Sequence, residues 1–274
     1  MASKMLIFGI GYTASRLAAR LRDEGWTVVG TCRTASSAAI AFDDEAAVLD
    51  ALSDATHILS SVPPLREGGD PVLRRYGAAI EAAPARWIGY LSSTGVYGDS
   101  RGAWVDESAA IGSGRRGARA VADLDWQGLR DDVRIFRLPG IYGPGRSALE
   151  RVRDGTAHRI DLPAQIFSRI HVEDIVSGLL ASFAAPAGVY NLADDFPCSQ
   201  NAVIEFASQL MSSAPPPMQS LEQAQLSPMA AAFYAENRRI SNRKAKRLLA
   251  WNPQYQDYKQ GLMALFHNFG KKVD

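Results

Sequence analysis

Thiols are scarce in this chain: Cys32 and Cys198 are the only cysteines, they stand far apart, and no C-x-x-C occurs. That excludes a disulfide framework and a cysteine zinc site, and it fits free thiols in a reducing cytoplasm. An excess of charge of either sign is also missing. With 30 basic against 29 acidic residues the formal charge is +1, so there is no broad electrostatic footprint for nucleic acid or an anionic membrane. No hydrophobic run approaches the roughly 18 residues needed to span a bilayer. The opening "MASKMLIFGIGYTA" runs into glycines too soon for a signal peptide. A soluble, cytoplasmic protein with no membrane or nucleic-acid partner is expected. The four histidines include His57, His158 and His267, which stand apart from any second ligand at metal spacing, so no metal site is expected.

What is present is a rhythm. Short apolar runs recur at 5–9, 27–31, 57–62, 87–92, 133–138 and 188–192, and helical patterns lie between them. The clearest helix covers 13–24, with Ala14, Leu17, Ala18 and Leu21 at i, i+3, i+4 and i+7. Asp70 as N-cap and Pro71 in the first turn announce a second. Others are expected over 116–130, 173–184, 199–212, 242–250 and 257–269. Continuous apolar strands separated by helices imply an α/β fold, a doubly wound parallel sheet covered on both faces. The stretch 213–229, with four prolines, breaks the rhythm and reads as a surface connection. The expected organisation is a dinucleotide-binding domain over 1–142, completed by about 169–195. A smaller C-terminal substrate-binding cap is expected from 143–168 and 196–274.

"FGIGYTASRLAARL" sets Gly9 and Gly11 between the first strand and its helix as G-x-G-x-x-A, with Ala14 in third place. The first glycine permits a tight turn and the second lets backbone approach a pyrophosphate. The small third residue lets helix and strand pack closely. Gly9, Gly11, Tyr12, Thr13 and Ala14 are therefore the candidate phosphate cradle, where the helix offers free N–H groups and its positive dipole end. A glycine turn needed only for steric reasons is the competing reading.

The second strand ends in Arg33, flanked by Thr31, Thr34 and Ser36, where an NAD site usually shows a carboxylate. A guanidinium fork with nearby hydroxyls suits the 2′-phosphate of NADP, so Arg33 and Thr34 point to NADP over NAD. A solvated surface arginine is the plainer alternative. Asp43 is a candidate adenine contact if 39–42 is the third strand, or else one of the acids opening a helix.

"GIGYTA", "LSSTGVYG", "WVDES", "RLPGIYGPGR", "RIHVEDIVSGL", "GVYNLAD" and "ISNRKAKRLLAWNPQY", in that order, resemble the extended short-chain dehydrogenase/reductase family in its NAD(P)-dependent epimerase/dehydratase branch. The resemblance implies a Rossmann fold and makes Ser93 the catalytic hydroxyl, orienting a substrate oxygen. It places Pro139 at the cofactor, where the chain turns from sheet to cap. It gives His171 and Asp174 the task of positioning backbone and capping a helix. It also implies a homodimer through helices including the one at 116–130.

The family's Y-x-x-x-K pair is the departure. Its place falls on Arg115 and Arg119 in "GSGRRGARAVADLDW", and no tyrosine stands between Tyr97 and Tyr142. A guanidinium stays protonated and cannot shuttle a proton as a phenol does. Arg119 remains suited to ribose hydroxyls or phosphate. For the proton, Asp106, Glu107, Tyr97 and Tyr142 are near the expected site, and a carboxyl desolvated beneath a cofactor would have a raised pKa. Two functions are expected from this. One is an NADP-dependent reductase, epimerase or dehydratase acting on a small polar, nucleotide-linked or sugar-like substrate. The other is a non-catalytic NADP(H) sensor read by a protein partner.

Overall fold

The structure, a computed structural model, describes residues 3–34, 39–112 and 117–269. Seven parallel strands form the central sheet: β1 (Lys4–Phe8), β2 (Thr27–Cys32), β3 (Ile40–Ala41), β4 (His57–Ser60), β5 (Trp87–Ser93), β6 (Val133–Leu138) and β7 (Gly188–Asn191). Their order is β7-β6-β5-β4-β1-β2-β3. In register, Leu6 of β1 faces Val29 of β2 on one side and Ile58 of β4 on the other. From Met5 to Phe8 no side chain is exposed, as a strand buried on both faces requires.

Helices cover both faces. Leu17 and Leu21 of α1 (Tyr12–Asp23) join Ile175 and Leu179 of the helix Val172–Ala181 and Trp87 in one core cluster. On the other face, Val48 and Leu52 come from α2 (Glu45–Ser53), and Val72, Tyr76 and Ile80 from α3 (Pro71–Ala82). Trp126 comes from α4 (Gly117–Leu129). Asp70 caps α3 by accepting the N–H groups of Val72 and Leu73, and its other oxygen accepts from the Trp126 indole at 3.0 Å. One carboxylate thus starts a helix and fixes its neighbour. The doubly wound sheet is as the alternation implies, and the third strand is present between 39 and 42.

Beyond the sheet, α5 (Ala148–Arg153) precedes the helix Val172–Ala181, here α6. The chain continues through α7 (Gln200–Leu210), α8 (Pro228–Phe233), α9 (Arg243–Leu248) and α10 (Tyr258–His267). Leu149, Val203, Ile204, Tyr258 and Leu262 make a separate small core between α5, α7 and α10. The segment 213–229 is more than a surface connection: Met218–Gln219 pairs in parallel with Arg159–Ile160, and Ala224 is buried. Proline forbids a central strand but leaves a two-residue edge pairing open. Among the described residues no helix is long and apolar enough to cross a membrane.

His57 lies among Trp26, Phe183 and Trp87, with ring centroids 4.7, 4.8 and 6.1 Å away. Burial depresses its pKa from 6.5 to about 4. The unfolded chain therefore takes up a proton first as pH falls, and stability drops from about pH 6.5 down to about 4. At 1.36 kcal/mol per pKa unit the full effect is about 3 kcal/mol. Thermal melts between pH 7 and 4.5 should show this fall, and His57→Phe, which keeps an aromatic ring there, should reduce it, leaving the part due to His171, whose pKa burial also lowers to about 4.

Candidate functional site

The strand order reverses between β1 and β4, which opens a crevice at the carboxyl ends of the strands. The turn leaving β1 borders it. Gly9 has φ +83°, and a Cβ there would stand 2.9 Å from Val62 Cγ2. Its N–H donates to Thr31 Oγ1 at 3.1 Å, and its carbonyl accepts from Ser61 Oγ at 2.5 Å. Gly30 in β2 leaves room for Ile10, which a Cβ would meet at 2.2 Å.

Gly11 is different. Its φ is −109°, and a Cβ there would meet nothing within 4 Å. Neither conformation nor packing within the chain calls for glycine, and the position opens onto free space. Gly11 is also the N-cap of α1, with no side-chain capping bond and no acidic residue in the first turn. The first helical hydrogen bond runs from Ser15 N to the Gly11 carbonyl, leaving the N–H groups of Tyr12, Thr13 and Ala14 ahead of it. Ala14 is fully buried and Thr13 nearly so. These residues fit a diphosphate.

Arg33 and Thr34 are exposed just past β2, and the Cys32 thiol lies 2.7 Å from the Thr34 carbonyl oxygen. Asp43 follows β3 and is ion-paired with Arg75 at 2.7 Å, while Asp44 caps α2 by accepting from Ala47 N. The third strand and the acid that opens the following helix are both present, and Asp43 lies between them. Ser36 and Arg115 lie outside the described residues.

At the end of β5, Ser92 and Ser93 divide their work. Ser92 is buried and donates to Asp123 of α4 at 2.5 Å. Ser93, pointing to the other face of the strand, is half-buried. Its oxygen accepts from Gly95 N at 3.1 Å, capping the short 3-10 turn Thr94–Tyr97. That bond leaves the Ser93 proton free to be donated. Arg119 is half-buried on α4, and Pro139 is half-buried just past β6.

Beneath Ser92 lies a network that sequence reasoning did not find. Arg137 of β6 binds Asp123 with two hydrogen bonds, at 3.0 and 2.7 Å, and donates to the Tyr97 hydroxyl at 3.0 Å. Tyr97 in turn donates to Asn191 at 2.8 Å. The pair is 3% and 0% exposed. Burial is the largest single influence and opposes the charge on Arg137, but the hydrogen bonds and charge attraction of Asp123 and Tyr97 together outweigh it and raise its pKa. Removing one partner of such a pair leaves a buried charge alone, at a cost of about 3–5 kcal/mol. The signal was available as an arginine inside the apolar strand "VRIFRL".

Three of the four proton-carrier candidates have hydrogen-bond partners, and the buried Tyr142 hydroxyl has none among the described residues. Burial pushes Tyr97 up to about 12. Tyr142 is also raised by burial, and it meets the His171 ring edge-on at 5.1 Å. Asp106 corrects the expectation of a desolvated carboxyl: it is exposed, and the Ser108 hydroxyl and N–H hold its pKa below the usual value. Glu107 is raised by burial, yet it accepts the Asn191 N–H at 2.7 Å and so supports the end of β7. His171 caps α6 through Glu173 N, and Asp174 accepts the N–H groups of Gln254 and Tyr255.

Tyr12 reaches away from its helix. Its hydroxyl donates to the Pro144 carbonyl at 3.0 Å, and the guanidinium carbons of Arg16 and Arg146 lie 4.3 and 5.6 Å from its ring centre. The glycine turn is thereby tied to the loop that leaves the sheet.

Among solved structures, the chain is 41% identical to a functionally unknown conserved protein from Silicibacter pomeroyi DSS, with a TM-score of 0.90 over 97% of this chain and 99% of that one. MoeE5, solved with UDP-glucose and NAD, is 20% identical with a TM-score of 0.77, over 97% of this chain and 98% of that one. The human epimerase family protein SDR39U1, solved with NADPH, is 16% identical with a TM-score of 0.75, over 97% and 99%. These two share the fold. No protein-family model and no curated protein matches the chain.

The two turn glycines should separate in stability measurements. Gly9→Ala should cost about 1–3 kcal/mol, from the left-handed backbone and the contact with Val62. Gly11→Ala should stay within about 1 kcal/mol of the parent. Denaturant unfolding of the two variants checks this.

Proposed function

We propose, on the premise that this chain belongs to one family with the Silicibacter pomeroyi protein and has the extended short-chain dehydrogenase/reductase fold, that it binds NADP as an oxidoreductase, epimerase or dehydratase. Gly11 carries this reading, as a glycine that nothing in the chain requires at an uncapped helix start. The amides of Tyr12, Thr13 and Ala14 would hold the diphosphate, Arg33 and Thr34 the 2′-phosphate, Asp43 the adenine and Pro139 the nicotinamide end. When bound, the cofactor exchanges hydride with a carbon bearing hydroxyl or carbonyl. Ser93 would donate its free hydroxyl proton to the substrate oxygen, and Arg119 would hold ribose hydroxyls. The segments 143–168 and 196–274 would form the substrate cap. MoeE5 was solved with a nucleotide sugar, which favours a small polar, nucleotide-linked or sugar-like substrate. The two free thiols suit the cytoplasm.

One observation favours the second reading, a non-catalytic NADP(H) sensor: Tyr97 is locked into the Arg137 network, and no tyrosine lies between it and Tyr142. Fluorescence titration should give tighter binding of NADPH than NADH. Arg33→Ala should weaken NADPH about tenfold or more while leaving NADH within about twofold. Equal affinity of the parent for both nucleotides would sink the NADP preference. An enzyme consumes NADPH with a carbonyl or nucleotide-sugar substrate; a sensor binds it without turnover.

The proposed homodimer contact is on α4, where Val121 and Leu124 are 50% and 54% exposed one turn apart. Light scattering should give a dimer that Val121→Glu dissociates. A monomeric parent overturns that contact.

A further inference from the structure

We infer that Arg146 is a second, side-chain ligand for the diphosphate, reaching over the glycine turn from the loop that leaves the sheet. The inference rests on the reading of that turn as a diphosphate cradle.

Three observations carry it. The first is placement. Arg146 lies 5.6 Å from the ring centre of Tyr12, the first residue of α1, and the Tyr12 hydroxyl is bonded to the Pro144 carbonyl two residues before Arg146. The loop is held firmly around it. Gly143 and Arg146 exchange backbone hydrogen bonds at 3.2 and 2.9 Å. Glu150 closes the turn by accepting from Gly145 N and Ser147 N at 3.0 and 2.8 Å.

The second is charge. Arg16, the other guanidinium on Tyr12, donates to the Tyr12 carbonyl and pairs with Glu173 at 3.2 Å. Arg146 is exposed and has no ion-pair partner among the described residues. Glu150, the nearest acid in sequence, spends its oxygens on Gly145 and Ser147.

The third is electrostatic direction. A cation beside the positive end of a helix is unfavourable by itself. α1 has no acidic residue in its first turn to offset it. An uncapped helix start and an arginine without an ion pair among the described residues meet at the same tyrosine, and an anion that bridges the two is favoured by both. A guanidinium adds two directed, charge-assisted hydrogen bonds to what the amides supply.

The diphosphate is common to NADPH and NADH, and that separates Arg146 from Arg33. Fluorescence titrations of both nucleotides should show Arg146→Gln weakening each by about tenfold, with the NADPH-to-NADH ratio unchanged. Arg146→Lys should recover part of the loss, and raising the salt should weaken the parent more than Arg146→Gln. Melting temperatures of both variants should match the parent, because the turn is made by backbone atoms. If Arg146→Gln binds both nucleotides within about twofold of the parent, or loses NADPH alone, the role is overturned while the cradle stands. If the parent binds neither nucleotide, cradle and clamp fall together.

Discussion

Gly9 is where three strands are joined by hydrogen bonds that the sheet ladder does not contain. Its amide is held by Thr31 at the end of β2 and its carbonyl by Ser61 just past β4, while it continues β1 itself. With φ at +83° the chain can leave the sheet sharply enough to start α1 over the crevice. The open position of Gly11, the aim of the free amides and the reach of Tyr12 to Pro144 all depend on that bend. The side chains pinning it come from both sides of the point where the strand order reverses, so the turn is set by the same geometry that opens the crevice.

A second constraint governs the floor of the site. Asp123 is fully buried and accepts from the buried Ser92 and Arg137 and from Gln127 at the surface. An ion pair in that setting adds little net stability, because desolvation cancels much of the attraction. Its contribution is placement: α4 is locked to β5 and β6 at the position directly behind Ser93.

Much of the fold could be read from the residues. Continuous apolar strands, the stripe Ala14-Leu17-Ala18-Leu21 and the Asp70-Pro71 start each depend on local periodicity or capping, and these are properties of a few neighbouring residues. The start of α5 was legible but unread, since Ser147 and Glu150 form a capping box. The pairing of Met218–Gln219 with Arg159–Ile160 was beyond reach because two-residue strands carry no period. In the site, the turn glycines were legible while the reason for each was not. Gly9 and Gly11 look alike in sequence, and only the built surroundings show that the backbone demands one and that nothing within the chain demands the other. The Asp123–Arg137 pair spans two elements and has no spacing rule.

Gly261 in α10 lies against Tyr142, so closely that a Cβ at that position would fall 2.1 Å from the phenol oxygen. The last helix therefore seats on the segment leaving the sheet the way a notch seats on a peg. Only a residue with no side chain permits that approach, so the smallest addition at position 261 would push α10 off the tyrosine while leaving the rest of the helix able to form.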